Sequence, residues 1–206
     1  MIALDDDTTL LAPGGAWLPR EEALVVADVH AGYVADLQRR GFALPDGHDD
    51  DLLMRLDALL HAADPARVVI AGDLVHGPGA AHTRSAAPSP LDRVLDRLRG
   101  RAVTVVLGNH DAPVAELLRA RDVDCVTHCA VGPHAVVHGD EDTATLTALC
   151  PAEALQVLVV AGAEVVPAGS LASLWRLAGV RPQRRRPADP SPKERRSRGA
   201  GTRQER

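Results

Sequence analysis

Residues 23–32 read Ala-Leu-Val-Val-Ala-Asp-Val-His-Ala-Gly, an apolar run followed at once by an acid and, two positions later, by a histidine. A short continuous apolar run is typical of a strand that is buried on both faces of a parallel sheet. Asp28 and His30 therefore come directly after the carboxyl end of this strand. The stretch therefore predicts a sheet and places polar side chains at the edge where its parallel strands end.

Two later apolar runs end in the same manner. Residues 68–73 read Val-Val-Ile-Ala-Gly-Asp, and residues 103–111 read Val-Thr-Val-Val-Leu-Gly-Asn-His-Asp. Leucines at helical spacing in residues 49–63, and a similar apolar face in residues 91–98, predict helices between these strands. The alternation predicts an α/β layered domain with a mixed, largely parallel sheet core flanked by helices.

Weaker local patterns complete the prediction. Pro13-Gly14-Gly15 is a turn signal that favours a hairpin. Further helices and strands are expected over residues 31–40, 114–118, 123–127 and 135–137, the last strand leading to His138.

Composition limits the class of protein. The chain has 206 residues, 46% hydrophobic and 25% charged, which is enough for one ordinary globular domain. No apolar stretch approaches the roughly 20 residues of a membrane span, and acids follow Met1 where a secretory signal would be basic and then apolar. We therefore expect a cytoplasmic protein without a membrane segment. Aromatic content of 2% argues against modules that stack nucleobases on aromatic side chains.

Charge divides the chain into two parts. Residues 1–180 hold 13 basic and 25 acidic side chains, whereas residues 181–206 hold ten basic and three acidic ones. We expect one domain over 1–180 and a disordered Arg-rich tail over 181–206, because the tail has almost nothing apolar to bury. Such a tail can bind phosphate backbones. A merely solvating extension is the more ordinary alternative.

The polar residues at the strand ends suit metal ions. Carboxylate and amide oxygens favour Mn²⁺ or Mg²⁺, and imidazole suits Fe, Zn and Mn. Asp73 follows the central strand, where a carboxylate can bridge two ions. Two adjacent cations can clamp a phosphoryl group and activate water, so the set predicts phosphoester hydrolysis. The candidate residues at these strand ends are Asp28, His30, Asp73, Asn109, His110, Asp111 and His138.

Each of these residues also has an ordinary structural reading. An isolated Asp-x-His is commonly a capping or surface pair, and His138 is almost as well explained as a histidine at a sheet edge. His76 lies just past Asp73 and is placed to approach a substrate. Cys125, His128 and Cys129 lack a second ligand pair, so core or surface positions explain them better than zinc does.

Three motifs carry a resemblance to a known family. Residues 28–32 (Asp-Val-His-Ala-Gly), 72–76 (Gly-Asp-Leu-Val-His) and 108–111 (Gly-Asn-His-Asp) resemble, in order and spacing, the first three blocks of the calcineurin-like metallophosphoesterase superfamily. Residues 27–33 and the later Arg39-Arg40-Gly41 look most like the bacterial ligase-associated DNA-damage-response phosphoesterases. This narrower resemblance implies a phosphoester substrate, with DNA as one class, and repair partners such as a ligase or helicase.

The resemblance also implies a role for each residue. Asp28 and His30 would bind the first metal, Asp73 would bridge, and Asn109 and His138 would bind the second. The expected cofactor is two divalent ions, Mn first, with Fe, Zn or Mg as alternatives. The catalytic residues would be His110, which protonates the leaving alkoxide or holds the phosphate, and Asp111, which orients His110.

One departure from the family pattern leaves alternatives open. Family members end the metal site with a Gly-His-x-His block, but this chain has no histidine after His138. A deletion or a disrupted reading frame would explain both this loss and the Arg-rich end. The first hypothesis is an active phosphoesterase, weakened by the missing ligands. The alternatives are a catalytically impaired domain that binds metal or a partner, and a nucleic-acid-binding protein that acts through residues 181–206.

Overall fold

The computed structural model describes residues 1–3, 6–45, 47–81, 88–139, 158–161 and 164–167. The Arg-rich tail expected over 181–206 lies outside the described residues. The division into a domain over 1–180 and a tail therefore stays a prediction. None of the described helices is both long enough and apolar enough to cross a membrane.

A seven-stranded mixed sheet forms the centre of the fold, with its strands in sequence order. The first four strands pair antiparallel, and β4 to β7 pair parallel. The register places Val26, Ile70 and Val105 side by side, so three neighbouring strands end level with one another. The predicted layered α/β architecture is confirmed. The strands are β1 Ile2–Ala3, β2 Thr9–Leu11, β3 Gly15–Leu18, β4 Ala23–Val26, β5 Arg67–Ala71, β6 Ala102–Val106 and β7 Asp124–Val126.

Helices connect the parallel strands and cover one face of the sheet. Leu53, Leu56, Leu59 and Leu60 of α2 are buried, as the leucine spacing predicts. They pack in one cluster with Leu24, Val68 and Val105 of the sheet. The helices are α1 Tyr33–Arg39, α2 His48–Ala63, α3 Pro90–Arg97 and α4 Ala115–Arg119.

The opposite face of the sheet carries a hairpin of β8 Cys129–Val131 and β9 His134–Val136. Val131 and Val136 pack there against Val69 and Val106. Only the second strand of this hairpin was expected from the sequence. The three-residue strand β8 was missed because it is too short to show alternation, although the Gly-Pro turn after it was a usable signal. A further described hairpin pairs β10 Leu158–Ala161 with β11 Glu164–Pro167.

Candidate metal centre

The loops that follow β4 and β5 are joined by their backbones. Asp28 N–H donates to the Gly72 carbonyl (3.2 Å), and His30 N–H donates to the Asp73 carbonyl (2.8 Å). Because neighbouring parallel strands deliver both loops to one edge, the pairing continues past the ends of the strands. One ligand atom each of Asp28, His30 and Asp73 consequently lies within 4.8 Å of the other two. Among the described residues this is the one cluster of acids, histidines or cysteines that could hold an ion.

The backbone at these three residues has an uncommon conformation. Asp28, His30 and Asp73 have φ angles of +51°, +49° and +51°. Non-glycine residues in this left-handed region cost about 1–3 kcal/mol each and cluster at functional sites, where surrounding structure holds them. The inter-loop hydrogen bonds supply that surrounding structure. The strain is thus located on the residues that the sequence singled out as ligands.

Asp73 lies at the centre of the cluster and is 6% exposed. Its Oδ2 is 3.6 Å from His30 Nε2, and its Oδ1 is 3.6 Å from His138 Nε2. Two ligands of one ion with bonds of about 2.1 Å lie about 3 Å apart, so both separations are close to those of shared coordination. The two oxygens of one carboxylate therefore face two different imidazoles. This donor set fits divalent cations.

His138 reaches Asp73 from the hairpin layer, directly beyond β9. Its Nδ1 lies 3.2 Å from the Ala71 carbonyl oxygen, which leaves Nε2 directed at Asp73. Gly72 makes this approach possible, because a Cβ at that position would overlap the His138 ring. The φ of Gly72, +85°, also favours a glycine. His138 thus lies against the end of β5 as closely as the backbone permits.

His110 is positioned by the loop after β5. Its backbone N–H donates to Asp73 Oδ1 (3.2 Å), and its ring Nδ1 lies 2.8 Å from the His76 carbonyl oxygen. Since a carbonyl only accepts, Nδ1 carries a proton and Nε2 is the ring atom left for chemistry. Gly108 allows this approach, because a Cβ there would overlap Asp73 Oδ1 and come within 2.6 Å of the Asp73 backbone nitrogen.

Asp111 is fully buried and binds backbone on two loops. Its Oδ1 accepts from Val75 N–H (3.1 Å) and its Oδ2 accepts from Gly108 N–H (3.0 Å). Burial raises the pKa of this carboxyl, and the nearby Asp73 charge adds to that effect. These hydrogen bonds act on the loops that carry Asp73 and His110. The role of Asp111 in orienting the His110 ring stays a prediction.

Asn109 differs from the other candidate ligands. Asn109 is exposed, and among the described residues its side chain makes no hydrogen bond to another candidate ligand. It follows β6 on the same loop as Gly108 and His110. The structure therefore brings Asp28, His30, Asp73 and His138 together and leaves Asn109 at the rim.

His76 extends the cluster toward the surface. Its ring stacks on that of His110 (centroids 5.0 Å apart, planes at 21°) and meets Tyr33 edge to face at 4.5 Å. Burial, together with the neighbouring His110 and His30, lowers the pKa of His76. The expectation that His76 approaches a substrate stays a prediction.

A cavity of about 370 Å³ adjoins Asp28 and His30. Sequence reasoning missed it, because its walls come from the β2–β3 turn, the end of β4 and one side of α2, which meet only in the fold. The one polar signal was Asp51 followed four residues later by Arg55, on the same side of a helix. The lining residues are Pro13, Gly14, Val26, Ala27, Asp28, Val29, His30, Tyr33, His48, Asp51, Leu52, Arg55, Leu56 and Leu59.

The calcineurin-like phosphoesterase family matches residues 23–190, a span that begins on β4 and contains every candidate ligand. The chain belongs to this family. A crystal structure of Pseudomonas putida nuclease MPE is similar, with 32% sequence identity and a TM-score of 0.45, covering 58% of this chain and 54% of that chain. The chain thus spans about half the length of that protein. No curated protein matches.

Proposed function

We propose that this calcineurin-like phosphoesterase hydrolyses phosphomonoester or phosphodiester bonds with two divalent cations. The observation that carries the proposal is the Asp73 carboxylate, whose two buried oxygens face His30 on one side and His138 on the other at 3.6 Å each. A carboxylate placed between two imidazoles can bridge two ions and leave one imidazole as a further ligand for each. Mixed oxygen and nitrogen donors favour Mn, with Fe, Zn or Mg as alternatives.

The ligands divide between two half-sites. The first would consist of Asp28, His30 and Asp73, and the second of Asp73, Asn109 and His138. Asn109 has to turn inward to take part. Bound cations polarise phosphoryl oxygens and lower the pKa of water to near neutrality, which is the chemistry that phosphoester hydrolysis needs.

The chain itself supplies the proton transfer. His110 Nδ1–H is held by the His76 carbonyl, so Nε2 of the doubly protonated ring is the atom that gives a proton to the leaving oxygen, which leaves the ring neutral with its proton on Nδ1. The stacked His76 ring restricts rotation of the His110 ring. Asp111 fixes the loop that carries His110 through its bond to Gly108 N–H. Positioning of the His110 ring is therefore the protein's own contribution.

The substrate class is proposed on narrower grounds. The motif at residues 27–33 and the following Arg39-Arg40-Gly41 support membership of the ligase-associated DNA-damage-response subgroup, and with it a phosphodiester in DNA. A ligase or helicase would then be a partner, and the cytoplasm the location.

A second candidate function is a domain that binds metal without turnover. Two observations favour it: no histidine follows His138, and Asn109 is exposed. Each ion would then lack one imidazole found in the family. Water fills such positions on Mn²⁺ or Mg²⁺, but at lower affinity.

The test uses the full chain with Mn²⁺ and two substrates, p-nitrophenyl phosphate and bis-p-nitrophenyl phosphate. Asp73→Asn should lower turnover by on the order of a thousandfold and reduce the bound metal, because the bridge is lost. Asp57→Asn is the matched control, since Asp57 pairs with Arg97 at the α2–α3 surface, and it should leave turnover unchanged. Equal turnover and metal content in Asp73→Asn and wild type would refute the proposal. Two bound ions without any turnover would favour the second candidate.

A further inference from the structure

Arg55 differs from the other arginines that the structure describes. Arg55 is exposed on α2, and within the described ranges it has neither an ion pair nor a hydrogen bond. Arg67 also lacks an ion pair there, but it donates a hydrogen bond to the Thr104 hydroxyl. All the remaining described arginines contact a carboxylate, namely Arg20, Arg39, Arg40, Arg93, Arg97, Arg99, Arg101, Arg119 and Arg121. Arg55 is thus a guanidinium available for an external anion.

Arg55 lies close to the candidate metal centre. Arg55 lines the same cavity as Asp28 and His30, the candidate ligands of the first half-site. Asp51 lies one helical turn earlier on the same wall, in the favourable acid-first orientation for an ion pair. No ion pair between Asp51 and Arg55 occurs among the described contacts. The guanidinium therefore shares a cavity with the candidate metal centre, and no carboxylate of the described residues forms an ion pair with it.

The remaining wall suits an organic group. Leu52, Leu56 and Leu59 of α2 and Val26 of β4 supply apolar surface, and Tyr33, 38% exposed, supplies an aromatic ring. The volume of about 370 Å³ lies near the lower end of the roughly 300–1,000 Å³ of small-molecule sites. One nucleoside-sized group fits in such a cavity, whereas the neighbouring nucleotides of a longer polymer would have to lie outside it. Guanidinium favours phosphate by forked hydrogen bonding.

We propose that this cavity holds the organic group attached to the scissile phosphoester and that Arg55 binds a second phosphate carried by that group. The inference rests on the proposed phosphoesterase function, because it takes the scissile phosphate to lie at Asp28 and His30. It assigns Arg55 as a specificity-determining residue for bisphosphorylated substrates. A nucleoside bisphosphate and an internal nucleotide of a polynucleotide share this chemistry.

The test is a binding measurement that does not require turnover. Thymidine 3′,5′-bisphosphate and thymidine 5′-phosphate are titrated into the Mn²⁺-loaded full chain by calorimetry. The bisphosphate should bind wild type about tenfold more tightly, the effect of one hydrogen-bonded charge pair at a partly open site. Arg55→Gln should abolish that preference, and Arg55→Lys should retain part of it. The diagnostic quantity is the change in the ratio of dissociation constants between variants, because an added phosphate also strengthens contact with metal.

Arg97→Gln is the matched control, since Arg97 is an exposed helical arginine paired with Asp57 outside the cavity. It should keep the wild-type ratio. An unchanged ratio in Arg55→Gln, or no preference in wild type, overturns the inference. Competition by a short oligothymidylate then identifies the source: an Arg55-dependent advantage over the bisphosphate indicates a polymer, and its absence indicates a mononucleotide.

Hydrolysis separates this inference from the proposed function. The p-nitrophenyl ester of thymidine 5′-phosphate is compared with and without a 3′-phosphate. Absence of Mn²⁺-dependent release of nitrophenol from both overturns the proposed function, while the binding ratio still decides the role of Arg55. Release from both with equal KM in wild type and in Arg55→Gln overturns only the role of Arg55.

Discussion

The half of the site that contains Asp28 and His30 is built differently from the half that contains Asn109 and His138. The first half rests on backbone hydrogen bonds between loops of two adjacent parallel strands. In the second half, His138 arrives from a hairpin in another layer, held by a contact between its ring and the Ala71 carbonyl. Asn109 is exposed. The sheet itself positions the first half, whereas the second depends on how the hairpin packs.

The largest effect is expected where the two halves meet. Gly108→Ala places a Cβ onto Asp73, which both halves share, and backbone has to move. We expect loss of both ions, a fall in Mn²⁺-dependent hydrolysis of about a hundredfold or more, and a stability loss of about 1–3 kcal/mol. Metal analysis and denaturant unfolding measure these effects. Gly77→Ala is the control, because a Cβ at Gly77 meets no atom of the described residues within 4 Å.

Removal of one histidine from each half tests the comparison directly. His138→Ala should leave one ion, held by Asp28, His30 and Asp73, with the affinity of that ion nearly unchanged. His30→Ala should weaken the first ion by more than about 10–100-fold, because that is the usual cost of losing a group that only supports a metal ligand. Competition with a chelator gives both affinities. If His138→Ala releases both ions together, the two halves are one cooperative unit and the comparison fails.

The sequence predicted that the residues of the first half lie close together, because the signal for this is local. Each apolar run ends in the residues that matter, and parallel strands carry their carboxyl ends to one edge, so Asp28 and Asp73 could be placed together without a structure. The His76 carbonyl behind His110 could not be predicted, nor could the lack of a partner for Arg55 among the residues that the structure describes. A backbone acceptor has no sequence signature, and the absence of a partner depends on which side chains meet through space. The exposure of Asn109 is a loop conformation, which residue type does not specify.

A smaller effect should follow from loosening the hairpin without touching a ligand. Val131 is 1% exposed and packs on the face of the sheet beneath β8 and β9. Val131→Ala should cost about 1–3 kcal/mol of stability and weaken the second ion several-fold through displacement of His138. Val94→Ala is matched in burial, at 2% exposed, but lies in the helix-side cluster. It should cost similar stability and leave both metal affinities unchanged; equal weakening by the two variants would show that the effect is global.

The smallest expected effect concerns pH in the metal-free protein. The pKa of His76 is lowered from 6.5, first by burial and then by His110 and His30. Below about pH 6.5 the unfolded chain binds a proton at this residue that the folded chain does not, so the contribution is fully present above that pH and is lost as pH falls. Unfolding free energy in EDTA should therefore decline less between about pH 7.5 and about pH 5.5 in His76→Gln than in wild type. If the unfolding free energy declines equally in His76→Gln and wild type, the stacked His76 ring accepts a proton without leaving its position. The surface side of the histidine cluster would then be as open to water as the exposed loop at Asn109.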